Sequence, residues 1–200
     1  MRPTAAEIVA HRSPDPAITR LERLPGGEHW ASPKIVVEPD PGWSDEYAGV
    51  AALIRTALGD RVIELHHVGS TAVADLPAKP VIDVDLVVAD PDGEDAYIAD
   101  LEAAGFWFHA RERGWHQHRL LKLRSPFAHL HVFGPDCPEV IRHLMFRDWL
   151  IEHPEDRVRY AEVKRQAARR HSGDAYYTEL KGPVVREIYE RAFRAHGLLT

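Results

Sequence analysis

Apolar side chains at Trp43, Tyr47, Val50, Ala51, Ile54 and Leu58 recur at the spacing of a helix with one buried stripe, and Gly59 ends the run. Asp40 stands as an N-cap, and Pro41 falls in the first turn, where its missing N–H is no loss. The rhythm then changes. Residues 62–68 and 81–88 are rich in apolar and β-branched side chains and predict strands, the second more strongly because it is uninterrupted. Between them, 69–80 carries two prolines and predicts a structured loop. Residues 94–104 predict an amphipathic helix stopped by Gly105. Strands are expected at 106–110, 116–123 and 129–133. Beyond Pro135 the period is helical, with helices over 139–152, 155–171 and 175–196 and with Gly173 and Asp174 as stop and cap. A short strand is expected at 34–38. Residues 1–33 mix prolines, glycines and charges, which predicts a loosely held arm with a short helix at 4–11.

The order is therefore β-α-β-β-α-β-β-β followed by helices, with strands grouped rather than regularly alternating. This predicts an α+β fold: a mixed β-sheet with packed helices and a C-terminal helical segment. The chain divides into an N-terminal arm (1–33), an α/β core (34–135) and a helical part packed on that core (136–200). Neither a GxGxxG fingerprint nor a P-loop is present, so a Rossmann or Walker nucleotide site is not supported.

Composition narrows the class. A net charge of −6 does not advertise nucleic acid or an anionic membrane, although a local basic patch remains compatible with phosphate binding. No run reaches the ~18 apolar residues of a membrane span. The N-terminal stretch lacks an apolar signal segment, and a cytoplasmic location is expected. The single cysteine, Cys137, excludes an intrachain disulfide and fits a reducing compartment.

Candidate chemistry concentrates between residues 69 and 85. Strand alternation places Asp83 and Asp85 on one face and Ile82, Val84 and Leu86 on the other. Two neighbouring carboxylates on an apolar strand resist ionising together, and a divalent cation such as Mg²⁺ or Mn²⁺ relieves that conflict. An arbitrary Asp-x-Asp is more often simply solvated. Here the strand is preceded by Gly69-Ser70-Thr71, a turn whose backbone N–H groups and hydroxyls suit phosphate oxygens. A phosphate-gripping turn followed by a carboxylate pair is what metal-assisted phosphoryl or nucleotidyl transfer requires. Lys79 is placed to add a cation, with an exposed loop lysine as the equal alternative. His131 is the preferred third metal ligand, from the pair His129 and His131 on one strand face. His116 and His118 share that spacing but read as exposed strand, with Arg119, Lys122 and Arg124 as nearby cations. In the tail, Lys181 and Tyr177 would reach a triphosphate if their helix closes over the sheet. Arg147 with Asp148 reads as an ion pair or cap, or as a phosphate clamp.

Taken together these segments resemble the GrpB-like, or UPF0157, family. The resemblance is carried by His66-His67-Val68-Gly69-Ser70-Thr71-Ala72-Val73 and continues through Leu76, Ala78-Lys79-Pro80 and Val81-Ile82-Asp83-Val84-Asp85. It extends to Val37-Glu38-Pro39-Asp40-Pro41-Gly42-Trp43, to His129-Leu130-His131-Val132 and to Leu144-Met145-Phe146-Arg147-Asp148-Trp149-Leu150. The tyrosine-lysine pairs Tyr160 to Lys164 and Tyr177 to Lys181 also match, so coverage runs from about residue 35 to 195. The family is grouped with the nucleotidyltransferase superfamily, so the resemblance implies a nucleotidyltransferase-like core and a metal–nucleotide site, but not a particular reaction. Similar domains occur fused to dephospho-coenzyme A kinase. Two departures stand out: Asp75 where such proteins usually carry glycine, and His131 where polymerase-like members of the superfamily carry a carboxylate.

Three functions compete. In the first, Asp83 and Asp85 hold the metal, Gly69, Ser70 and Thr71 bind phosphates, and an unknown acceptor takes a nucleotidyl group from a nucleoside triphosphate. Asp85 or another carboxylate then acts as general base. In the second, the site binds nucleotide or supports a protein partner without chemistry, a reading favoured by histidine in place of a third carboxylate. The third is a Zn²⁺ or Mn²⁺ hydrolase built on His67, His129 and His131 with the aspartates.

Overall fold

In the computed structural model, residues 2–10, 20–25, 32–169 and 173–200 are described, with side chains for all but 169 and 173–179. The expected helix ends at His11 and His171 lie outside these residues, as do the side chains of Asp174 and Tyr177. The elements are α1 (Ala5–Val9), β1 (Glu22–Arg23), α2 (Trp43–Leu58), β2 (Glu64–Val68), β3 (Ile82–Val87), α3 (Ile98–Ala103), β4 (Trp107–Glu112), β5 (His118–Arg124), β6 (Phe127–Phe133), α4 (Pro138–Glu152), α5 (Pro154–Arg169) and α6 (Gly173–Ala195).

The strands form one mixed sheet in the order β1-β4-β5-β6-β3-β2. β3 and β6 run parallel, and every other neighbouring pair is antiparallel. One sheet face is the main core. Val50, Ile54 and Leu58 of α2 and Leu101 of α3 bury against Ile82, Val84 and Leu86 of β3, Leu121 of β5 and Leu130 of β6. Each such side chain contributes roughly 1.5–3 kcal/mol of burial free energy, which fixes the register of β3 and β6. Once those side chains face inward, strand alternation sends Asp83, Asp85, His129 and His131 to the opposite face.

The helical part meets that second face where Val87 of β3 and Phe133 of β6 pack with Cys137 and Val140 at the start of α4, and further clusters tie the helices to the loop and to α1. Val73 and Leu76 of the 69–80 loop pack with Tyr160 and Ala161 of α5 and with Val184 and Ile188 of α6. Ile8 of α1 packs with Tyr189 and Phe193 of α6. The capping box of α1 forms as its sequence allows: Thr4 and Glu7 satisfy each other's backbone N–H. Within 1–33, then, the described pieces dock on the body, α1 through Ile8 and β1 by pairing with β4.

Two strand expectations change. Residues 34–38 contribute a single bridge, Val37 to Ala78, because Pro33 and Pro39 flank them without N–H donors and Ile35 is left 74% exposed. β5 begins at His118, since His116 and Gln117 adopt positive φ values of 52° and 51° and turn the chain instead. Among the described residues, no helix is long and apolar enough to cross a membrane.

Candidate functional site

β2 ends at Val68, and Gly69 turns the chain with φ of 70° into a short 3-10 turn, Ser70–Ala72. A Cβ at Gly69 would lie 2.5 Å from Asp83 Oδ2 and 3.0 Å from Asp83 Cβ. The turn backbone therefore lies directly against the first carboxylate of β3, which only glycine permits. Further along, Asp75 takes φ of 62°, a left-handed conformation that glycine adopts without strain and aspartate tolerates.

Thr71 faces inward. Its hydroxyl donates to the Val81 carbonyl at 3.0 Å and lies 3.1 Å from His67 Nε2. His67 stacks on Tyr47, and burial brings its imidazole down to about 4. Thr71 and His67 therefore close the loop onto α2, and neither presents its side chain to the carboxylates of β3.

The parallel register of β3 and β6 sets Asp83 opposite His129 and Asp85 opposite His131. Among the described residues, Asp83, His129 and His131 bring one ligand-type atom each to within 4.8 Å of one another. His129 Nδ1 is 3.3 Å from Asp83 Oδ1, and His131 Nε2 is 4.0 Å from the same oxygen. Burial would raise the Asp83 carboxyl, but His129 and His131 override it and hold the group well below the usual carboxylate range. Each imidazole is oriented from behind. His129 Nε2 meets the Ser32 hydroxyl at 3.0 Å. His131 Nδ1 meets His118 Nε2 at 3.0 Å, and His118 Nδ1 meets buried Glu112 at 2.8 Å. This carboxylate–histidine relay orients His131 so that its opposite nitrogen, Nε2, faces Asp83. A cleft of about 530 Å³ opens over the group, lined also by Gly69, Trp115 and His143.

Asp85 stands apart from that cluster. It is fully buried, and its Oδ2 lies 2.8 Å from His143 Nδ1 of α4. His143 Nε2 reaches Glu139 Oε1 at 3.3 Å. Burial opposes charge on this imidazole, but Asp85 and then Glu139 prevail and raise it to about 10, so it is an imidazolium at neutral pH. Asp85 Oδ1 has no hydrogen-bond partner among the described residues. The two carboxylates of the Asp-x-Asp thus differ: one joins the imidazole pair and the other forms a buried ion pair.

The cations sort in the same way. Arg119 is fully buried and is held by Glu94 at 2.6 Å and by Asp92. Arg147 donates to the His67 carbonyl at 3.0 Å and pairs with Asp148 at 2.7 Å, so it braces β2. Lys79 follows Ala78, whose bridge to Val37 anchors the loop, and Lys181 sits one turn before Val184 on α6. Cys137 is buried, and burial pushes its thiol up to about 11.

Sequence reasoning missed Glu112, His143, Glu139 and Ser32, and it read His118 as exposed strand where the fold buries it at 3% exposure. Only Glu139 and His143 left a trace, four residues apart on a helix and so on one face. The others meet the site through strand pairing or through the N-terminal arm, which no local spacing reveals.

Comparison with known proteins bears on this arrangement. The family model described as GrpB protein matches residues 33–191. A UPF0157 protein of Halalkalibacterium halodurans is 40% identical over 158 residues, covering 78% of this chain and 81% of the relative. The crystal structure of the conserved protein GrpB from Enterococcus faecalis superposes with a TM-score of 0.73 at 28% identity, covering 81% of this chain and 99% of that one. A dephospho-CoA kinase of Mycolicibacterium paratuberculosis is 30% identical over 190 residues, covering 81% of this chain but only 46% of the relative.

Proposed function

The chain belongs to the GrpB protein family, and from that premise we propose that it is a metal-dependent nucleotidyltransferase that uses a nucleoside triphosphate. The observation that carries this reading is the convergence of Asp83, His129 and His131 on one another beside the Gly69 turn. Three donors on one face with an open cleft above them suit a divalent ion that keeps positions for substrate. Asp85 Oδ1, buried and without a partner, is a further oxygen that a cation would satisfy. Two imidazoles beside one carboxylate favour Mn²⁺ or Zn²⁺ over Mg²⁺, whose preference is for oxygen.

When bound, such an ion supplies charge neutralisation at phosphate oxygens and activates an acceptor hydroxyl. The remaining work falls to the chain. Asp83, held well below the usual carboxylate range, contributes negative charge that imidazole ligands cannot. His118 and Glu112 hold His131 in the tautomer that aims Nε2 at the cleft. The backbone N–H groups at Gly69 and Ser70, the Ser70 hydroxyl, Lys79 and Lys181 bind the phosphates. Asp85, paired with an imidazolium, serves as a positioning residue that locks β3 to α4; this reading assigns it neither the general-base role nor a principal place among the ligands. The acceptor oxygen attacks the α-phosphorus as its proton passes to solvent, and the bond to the β-phosphate breaks so that pyrophosphate leaves. The name of the mycobacterial relative, matched over only 46% of its length, suggests dephospho-coenzyme A as the first acceptor to test, and the lone buried cysteine fits a cytoplasmic setting.

A second reading, a nucleotide-binding module without chemistry, is favoured by one observation: a single carboxylate joins the cluster. Calorimetric titration of ATP, GTP, CTP and UTP with Mn²⁺ or Mg²⁺, on the wild type and on Asp83→Asn, tests both. Metal-dependent binding that the variant loses, followed by pyrophosphate release with an acceptor, supports the transferase. Binding without release across acceptors supports the module, and absence of nucleotide binding defeats both.

A further inference from the structure

Lys164 is an anomaly of the helical part. It is only 2% exposed, and its Nζ has no hydrogen-bond partner among the described residues. A lysine this buried is ordinarily paired with a carboxylate. Lys164 instead lies with its Nζ 5.2 Å from the centre of the Tyr160 ring. Tyr160, Ala161 and Lys164 fall three and four residues apart on α5, so they share one face. That face meets Val73 and Leu76 of the 69–80 loop and Val184 and Ile188 of α6. Lys181 stands three residues before Val184 on the same side of α6, and Lys79 follows the loop's buried Leu76 by three residues. The charges felt at Lys164 are, in order, those of Lys181, Asp83 and Lys79. Burial first, and then Lys181, bring Lys164 down to about 7. An arriving polyanion would restore its charge and supply the partner it lacks.

We propose that Lys164, with Lys79 and Lys181, forms a subsite between the 69–80 loop, α5 and α6 for the terminal phosphates of a polyphosphate chain. Tyr160 flanks the subsite as its aromatic wall, and Asp83 marks its boundary with the imidazole cluster. The subsite deepens the nucleoside triphosphate reading and rests on it for its biological ligand, but its anion affinity is independent of a metal. Because an anion must extend away from Asp83, a chain of phosphates is expected to bind better than a compact anion.

The probe is inorganic tripolyphosphate in EDTA, followed by calorimetry and by thermal denaturation. Wild type is expected to bind and to be stabilised. Lys164→Met, which fills the same buried space without charge, is expected to bind about tenfold more weakly or worse, as loss of a charge-assisted contact predicts. Lys181→Met, at a less buried position, is expected to weaken binding too, which keeps the test decisive should Lys164→Met fail to fold. Asp83→Asn is expected to bind at least as tightly as wild type. The proposal is overturned if wild type does not bind tripolyphosphate, if the lysine variants bind it unchanged, or if sulfate binds as tightly. Failure of the metal reading looks different: tripolyphosphate binding persists while Mn²⁺ fails to bind wild type.

Discussion

Gly69 and Asp83 form the tightest single contact in the site. An added methyl at Gly69 would overlap Asp83 Oδ2 at 2.5 Å and sit at a φ that side chains avoid. Gly69→Ala is therefore expected to cost about 1–3 kcal/mol in denaturant unfolding and to abolish divalent-cation binding at Asp83. Asp75 makes the opposite case. It holds a left-handed backbone without being glycine, so Asp75→Gly is expected to raise stability by up to about 1 kcal/mol with site chemistry unchanged. His118 acts through His131. His118→Phe is expected to weaken Mn²⁺ binding about 10–100-fold while leaving the secondary structure intact, as measured by calorimetry and circular dichroism. Gly69, Asp83 and His131 were legible in the sequence because a turn glycine and a two-residue period are local signals. Which atom each residue contributes was not, because His118 and Glu112 reach the site across strand pairs and Ser32 reaches it from the arm.

At the scale of elements, β3 carries both sides of the molecule. Ile82, Val84 and Leu86 bury against α2 and α3, and the intervening aspartates are forced toward α4. The β-branched residues alternating with the aspartates made this strand plain in the sequence. β1 was invisible, since two exposed residues have no period, and the strand expected at 34–38 reduced to a bridge between prolines. The ion pair of Asp85 with His143 was also hidden, because it joins a strand to a helix 58 positions later. It predicts a pH dependence. His143 is raised in the folded state, so its contribution is full below its unfolded value of roughly 6.5 and is lost as pH climbs toward about 10. Melting temperature is expected to fall between pH 7 and 10 in the wild type and to fall less in His143→Gln. His143→Leu, which strands Asp85 as a buried carboxylate, is expected to cost about 3 kcal/mol or more at pH 7.

Over the whole molecule, the sheet supplies the imidazole cluster and the helical part supplies the ammonium groups, and the 69–80 loop joins the two. The α+β class and the helical tail followed from grouped strands and from the change of period after Pro135. The direction in which the tail closes did not, because it depends on Val73 and Leu76 finding α5 and α6. Under the proposed reading, a net charge of −6 does not oppose polyanion binding, because the relevant charges are local.

The most direct test of the central claim, that Asp83, His129 and His131 are a divalent-metal site, is an anomalous-difference map from crystals of the wild type soaked in Mn²⁺ or Zn²⁺. The expected result is one dominant peak at roughly 2.0–2.2 Å from the Asp83 carboxylate and both imidazoles, absent from Asp83→Asn crystals soaked identically. A map with no peak there, or a peak unaffected by the substitution, would contradict it.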